Sequence, residues 1–455
     1  MKKQTKDIIN KQLLNYIDPN IWIKFGKLTI ENKATGLGQG FPDWGPPTFF
    51  NEYLNKNNND PNANHQYNRS FGVPKLVNSI SNFYGKCFKR TIDPLKEVSV
   101  APGACNLLFN VMTSLLNEGD EVIVIEPFYE TYYASINFMK CKIIGVPLIP
   151  PKLRSKEELK KITVDNLCID MKDEWKFDFD YFEEKLNDKT KLIIFNSPNN
   201  PTGKIYRYDE YEKICSIINK KSPNAIIVSD EVYDQIYYDD IKVFPRIANV
   251  EGMWEKTVSL YSAGKVFSCT GFRGGWAVGP EYIIKAINSI HQFNAFCMHE
   301  PAQNTMADCI DSLDKPYEGF DTYLDWFRNK YNYSRNYMIS RLLECNDFFE
   351  LPEYKMDFYI PEGSYFIVAN IKDADVKQLH TMSEDIGKEY TKDFKYCVNM
   401  MCEVKVGIIP LSVFYTPENR HLGENYVRIS FCKKKETIDD AIEKFKNFKN
   451  LKNLS

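Results

Sequence analysis

The chain has 455 residues, 26% of them charged, and a formal net charge of -3. That length is ample for a large core and for about two or three domains, and the near-balance of charge gives no reason to expect a nucleic-acid partner. No apolar run is long enough to span a bilayer, and the 12 cysteines include no C-x-x-C pair, which argues against a disulfide framework or a zinc site.

The opening M-K-K-Q-T-K-D-I-I-N-K is basic, but it lacks an apolar stretch and already carries Asp7, so it is not expected to be a secretory signal. A cytoplasmic location is expected, with a mitochondrial pool left open. Residues 1–45 read as an arm, with Trp22 and Phe25 on an apolar segment, followed by L-G-Q-G-F-P-D-W-G-P-P-T. Glycine and proline forbid a long helix there and leave backbone N–H groups free, which makes a ligand-touching loop around Gly40. Residues 57–68 are polar and rich in turn formers, so Tyr67 is displayed on a loop.

From Glu97 the pattern repeats. E-V-S-V predicts a strand, A-P-G-A-C a tight turn, and Leu107, Leu108, Val111, Met112, Leu115 and Leu116 fall at helical spacing until N-E-G-D ends the helix. A strand, a glycine turn and a helix form an anion cradle at the helix N-terminus, here at Ala104 and Cys105. The strand E-V-I-V-I-E-P follows, with Phe128 and Tyr129 just beyond it; residues 150–176 are charged, without apolar period, and read as a surface insertion. Further short apolar runs end at Asn196, Glu231 and Ser262, separated by helices. This spacing predicts an α/β fold, a mainly parallel sheet covered on both faces.

Ligands gather at the carboxyl ends of such strands. After one strand comes N-S-P-N-N-P-T-G-K with Asn196 and Asn200, after the next D-E-V-Y with Asp230 and Tyr233, and after the third S-A-G-K with Ser262 and Lys265. Arg273 and a Gly-Gly pair stand just beyond. A desolvated lysine flanked by a serine and an arginine suits an imine link to pyridoxal phosphate, whose phosphate the latter two would bind. Beyond Tyr317 the texture changes to a polar, aromatic helix through Met338 and then short strands, G-S-Y-F-I-V-A-N, V-G-I-I-P-L-S-V-F and Y-V-R-I-S-F. An amphipathic tail carrying Ile438, Ala441, Ile442, Phe445 and Phe448 closes the chain. Arg428, between apolar neighbours, is either a paired structural arginine or an anion receptor, and by itself the structural reading is favoured.

L-G-Q-G-F-P-D, H-Q-Y, I-E-P-F-Y, N-S-P-N-N-P-T-G-K, S-D-E-V-Y and S-A-G-K-V-F-S-C-T-G stand in the order found in fold type I, class I pyridoxal-phosphate aminotransferases. The chain resembles these enzymes over nearly its whole length, and L-G-Q-G-F-P-D with G-M-W-E-K-T makes it most similar to the kynurenine aminotransferases, also known as glutamine transaminase K and cysteine-S-conjugate β-lyase. The resemblance implies a seven-stranded large domain over 46–315 and a smaller α+β domain built from the arm and residues 316–455. It implies a pyridoxal 5′-phosphate enzyme that moves the amino group of kynurenine, or of a related aromatic or glutamine-like amino acid, to a 2-oxo acid. A carbon–sulfur β-lyase activity is the near alternative. A regulator on the same fold would carry a DNA-binding module ahead of it, and the short mixed-charge segment before the glycine loop leaves little room for one.

Residue by residue, the resemblance makes Lys265 the cofactor lysine and acid/base, Asp230 the partner of the pyridine nitrogen, and Asn200 and Tyr233 the partners of the phenolic oxygen. Tyr129 would stack on the ring. Ser262, Arg273, the N–H groups of Ala104 and Cys105, and Tyr67 of a neighbouring subunit in a homodimer would hold the phosphate. Arg428 would take the substrate carboxylate with Asn200 and the N–H of Gly40, while Trp22 and Phe296, with the second subunit, would line the side-chain pocket. Cys105 and Cys297 depart from the subgroup, where an aromatic and a histidine are common. No metal is expected.

Overall fold

The computed structural model describes residues 20–154, 158, 173–238, 241–376 and 390–454. Thirteen strands are assigned in chain order. They are β1 (Thr35–Gly36), β2 (Val98–Ala101), β3 (Glu121–Glu126), β4 (Lys142–Pro147), β5 (Thr190–Asn196), β6 (Ile226–Asp230), β7 (Thr257–Ser262), β8 (Gly275–Val278), β9 (Asp357–Phe358), β10 (Phe366–Asn370), β11 (Val406–Gly407), β12 (Ile409–Pro410) and β13 (Tyr426–Ser430).

The large sheet has 7 strands in the order β2-β8-β7-β6-β5-β3-β4. Pairing is parallel from β7 to β4, and β8 alone runs against its neighbours β2 and β7. The sequence explains the burial. Alternate residues feed two separate cores: Ile123, Ile125, Ile193, Phe195 and Ile227 enter one, and Val122, Val124, Leu192, Ile194 and Val228 the other. Strands buried on both faces must be apolar at every position, which is why these runs lack the alternation of a half-exposed strand. The helix Ala104–Leu115 packs Leu107, Leu108, Val111 and Met112 into the second core, as its spacing predicts.

The smaller sheet is antiparallel, in the order β12-β13-β10-β9. The arm docks beside it: β1 and β11 form a separate two-stranded parallel sheet, and Ser430 N–H in β13 donates to the Leu37 carbonyl at 2.7 Å. The closing helix Lys435–Leu454 buries Ile438, Ala441, Ile442 and Phe445, again as the sequence predicts. The two sheets meet at a buried carboxylate, Glu126 at the end of β3, which accepts from Thr416 N–H and from Asn419 Nδ2, both at 2.6 Å.

One expectation needs correction. The stretch read as a surface insertion, residues 150–176, lies largely outside the described residues, but its last part is core: Asp173 and Trp175 are buried, as is Phe177 just beyond it. The Trp175 ring packs edge-on against Tyr359 and Tyr426 at 5.8 and 6.2 Å. Two aromatics among charged residues carry no periodicity, so their burial had no local signal. The expectation about the N-terminal leader falls on residues outside those described. Among the described residues no helix is long and apolar enough to cross a membrane.

Candidate active site

The carboxyl ends of β5, β6 and β7 lie side by side, with Asn196 opposite Asp230 and Asp230 opposite Leu260. Asn196 bridges the first pair: its Nδ2 donates to the Asp230 carbonyl at 2.9 Å, and its Oδ1 accepts from Asn200 N–H at 2.7 Å. Glu231, one residue past Asp230, is buried against Arg246, which also reaches Asp234 at 2.8 Å. This ion cluster lies directly behind the strand end and fixes it.

The Asp230 carboxyl is buried and accepts from the Tyr132 hydroxyl and, at 3.3 Å, from Val232 N–H. Burial pushes its pKa up to about 6, and those two donors together with the Lys265 charge oppose the shift. Lys265 sits on the short helix Ala263–Val266 that follows β7. Its Nζ donates to the Tyr365 hydroxyl at 2.8 Å and to the Gly40 carbonyl at 3.3 Å, and lies 5.3 Å from the centre of the Tyr233 ring. Burial lowers its pKa to about 8, so about a tenth of it is the free, nucleophilic amine at pH 7, far more than for an exposed lysine.

An anion cradle lies beside the lysine. The 12-residue helix Ala104–Leu115 begins with no side-chain cap, leaving its first N–H groups and the positive end of its dipole for a ligand. Gly103 enters it with φ at 87°, and a Cβ there would meet the Arg273 guanidinium at 2.7 Å. A Cβ on Gly275 would meet the Ala104 nitrogen at 2.6 Å. Ser262, Thr270 and Arg273 complete the wall.

Opposite lies Arg428, in the middle of the small sheet and 1% exposed. Its Nη1 donates to Asn200 Oδ1 at 2.8 Å, its Nη2 to the Gly38 carbonyl at 2.6 Å, and its Nε has no partner. The rings of Phe366, Trp22 and Phe414 lie 4.1, 5.1 and 5.1 Å from its guanidinium carbon. Burial lowers its pKa to about 10. Among the described residues no carboxylate forms a salt bridge with it; its direct hydrogen-bond partners are neutral, and the Glu130 carboxyl lies near enough to feel its charge. A buried cation with an open donor is compatible with an anion receptor.

One cavity is lined by Trp22, Gly40, Ala104, Cys105, Tyr129, Asn200, Asp230, Tyr233, Ser262, Lys265, Arg273 and Arg428. Twelve of the residues expected at the site are therefore brought together. Two are not. Tyr67 and Phe296, 82% and 46% exposed, lie outside the cavity of their own chain and contact each other edge-on at 5.0 Å. Phe296 follows the Ala295 cap of the helix Glu281–Asn294 and has φ at 63°.

The cavity also contains residues that the sequence did not single out. Gln39, Phe41, Tyr132 and Phe366 line it, and Tyr365 holds the lysine. Nothing sets Tyr132 or Tyr365 apart among 28 tyrosines, whereas Phe366, adjacent to a recognised strand pattern, could have been found from the two-residue period.

The residues present fit pyridoxal phosphate: a lysine amine made nucleophilic by burial, a carboxyl in a dry strand end for a pyridinium nitrogen, and an uncapped helix with Ser262 and Arg273 for a dianion. Comparison with known proteins agrees. The sequence profile of the family described as aminotransferase class I and II matches residues 32–445. The chain is 34% identical over 448 residues to kynurenine–oxoglutarate transaminase 3 of Homo sapiens, covering 98% of this chain and 91% of that one. It is 33% identical over 431 residues to kynurenine–oxoglutarate transaminase of Dictyostelium discoideum, covering 93% and 92%. Its fold superposes on the crystal structure of Bna3p from Saccharomyces cerevisiae with a TM-score of 0.83, at 28% identity and over 97% and 99% of the two chains.

Proposed function

The chain belongs to the class I and II aminotransferase family, and from that premise we propose that it transfers the amino group of L-kynurenine, or of a related aromatic or glutamine-like amino acid, to a 2-oxo acid, using pyridoxal 5′-phosphate held on Lys265. When bound, that group supplies an electron sink conjugated to the substrate α-carbon, which makes loss of the α-proton accessible.

The residues divide the remaining work. Asp230, its carboxylate accepting from Tyr132, holds a proton on the ring nitrogen. Asn200 and Tyr233 donate to the phenolic oxygen. Ser262, Arg273 and the N–H groups of Ala104 and Cys105 bind the phosphate, and Tyr129 covers one face of the ring. Arg428 takes the substrate carboxylate in the position its neutral partners leave open, with the Gly40 N–H beside it. Lys265 Nζ is then within reach of the α-carbon and carries its proton as general base and acid. Trp22, Phe41 and Phe366 present aromatic surface to the substrate side chain. A second copy of the chain completes the site, Tyr67 reaching the phosphate and Phe296 the side-chain pocket. Their exposure and mutual contact at the rim of their own subunit are what support this.

The observation that carries the reading is the buried Arg428 without a carboxylate partner, facing the same cavity as Lys265 and Asp230. Mixing the enzyme with single amino acids and following conversion of the bound cofactor by absorbance tests it. Kynurenine, glutamine and phenylalanine are expected to convert the cofactor well and aspartate poorly. Efficient conversion by aspartate alone would overturn the substrate assignment.

A further inference from the structure

Tyr365 is fully buried, immediately precedes β10, and does not itself line the cavity. Its ring is fixed by Phe366 at 4.7 Å, by Tyr233 edge-on at 5.1 Å and by Tyr331 stacked at 5.8 Å. Its hydroxyl donates to the Gly40 carbonyl at 2.7 Å. The Tyr233 hydroxyl is a second acceptor within its reach; with the proton committed to either partner, the oxygen offers the amine only lone pairs, and Lys265 Nζ sits on it at 2.8 Å. The Gly40 carbonyl accepts from the same amine at 3.3 Å.

Asp230, Cys105, Cys432 and Arg428 also face the amine, and the Tyr233 ring lies beside it. Among the described residues, only Tyr365 and Gly40 hydrogen-bond it. Both contacts present oxygen, and an acceptor pair favours the ammonium over the neutral amine.

We propose that Tyr365 is a positioning residue for the reaction: its hydroxyl and the Gly40 carbonyl form the berth that receives the free amine of Lys265 and stabilises it once it has gained a proton. Burial lowers the lysine's basicity and the berth restores part of it, which keeps the amine useful both as base and as acid. The berth also ties the lysine to the loop that carries Gly38, whose carbonyl orients Arg428. The inference rests on the reading of Lys265 as the cofactor lysine.

The test is Tyr365→Phe in the full-length protein, which removes the hydroxyl and keeps the ring. The readout is the titration of Lys265 in cofactor-free protein, from the pH dependence of its reaction with trinitrobenzenesulfonate, located by peptide mass. The apparent pKa is expected to fall by about one pH unit in the variant, a roughly tenfold change in the ratio of protonated to free amine, and kcat should fall more than KM rises. Tyr365→Met takes its place if the first variant does not fold. An unchanged titration in a folded variant that still shows normal cofactor absorbance overturns the role of Tyr365 alone. Absence of cofactor absorbance in the wild-type protein would instead overturn the premise about Lys265.

Discussion

The cofactor side of the cavity and its substrate side are built on different plans. Asn196, Asp230, Ser262 and Lys265 stand at the ends of three adjacent parallel strands, so a single sheet fixes their spacing. Arg428 is instead oriented by Asn200 and Gly38, which lie 228 and 390 residues away in sequence, and its aromatic walls come from the arm, β10 and the segment before β13. The first half is set by one element of secondary structure. The second exists only when arm, large sheet and small sheet are docked, so changes in the two halves should differ in kind: chemistry lost on one side, binding lost on the other.

The largest expected effect lies on the cofactor side. Lys265→Ala removes both the anchor and the base, and turnover should fall by about 10⁴-fold or more, measured as amino-group transfer at saturating substrate. Asp230→Asn keeps the shape but cannot hold the ring nitrogen's proton by charge, and kcat should fall by about 10²–10³-fold with KM little changed. On the substrate side, Arg428→Ala should raise KM for amino acid and oxo acid by about 10²-fold, the loss expected for one partner of a buried charge pair, while cofactor absorbance stays normal. Loss of cofactor in that variant would erase the distinction between the halves.

Asp230 also supplies a pH test. Its folded-state pKa is raised to about 6 by burial, above the ordinary value of 3.8. In cofactor-free protein the unfolded chain therefore ionises first as pH rises, and stability contributed by the protonated carboxyl is lost between those two values. Cofactor-free Asp230→Asn is accordingly expected to melt above wild type at pH 7.5, by up to about 3 kcal/mol, and the gap should close toward pH 4 in a calorimetric series. The smallest effect is expected for Trp22→Phe. This loses the indole N–H donation to the Glu130 carboxylate, worth about 1–2 kcal/mol, keeps an aromatic face, though a smaller one, over Arg428, and should appear as a modest rise in KM.

The same difference decides what could be read from the sequence. Motifs such as S-D-E-V-Y and S-A-G-K place their functional residue within a few positions of a strand end, so local periodicity locates it. Arg428 resisted that treatment, because an arginine in an apolar strand reads equally as a paired core residue. Only the resemblance to aminotransferases reversed that preference. Tyr132 and Tyr365 act on Asp230 and Lys265 through contacts across 98 and 100 residues, and no spacing rule reaches them.

The most direct measurement is the site of covalent attachment. The wild-type protein, saturated with pyridoxal 5′-phosphate and reduced with borohydride, is digested and its peptides weighed. The account predicts one adduct, on the peptide containing Lys265 and on that amine. No added mass, or an adduct on a different lysine while Lys265 stays unmodified, would contradict it.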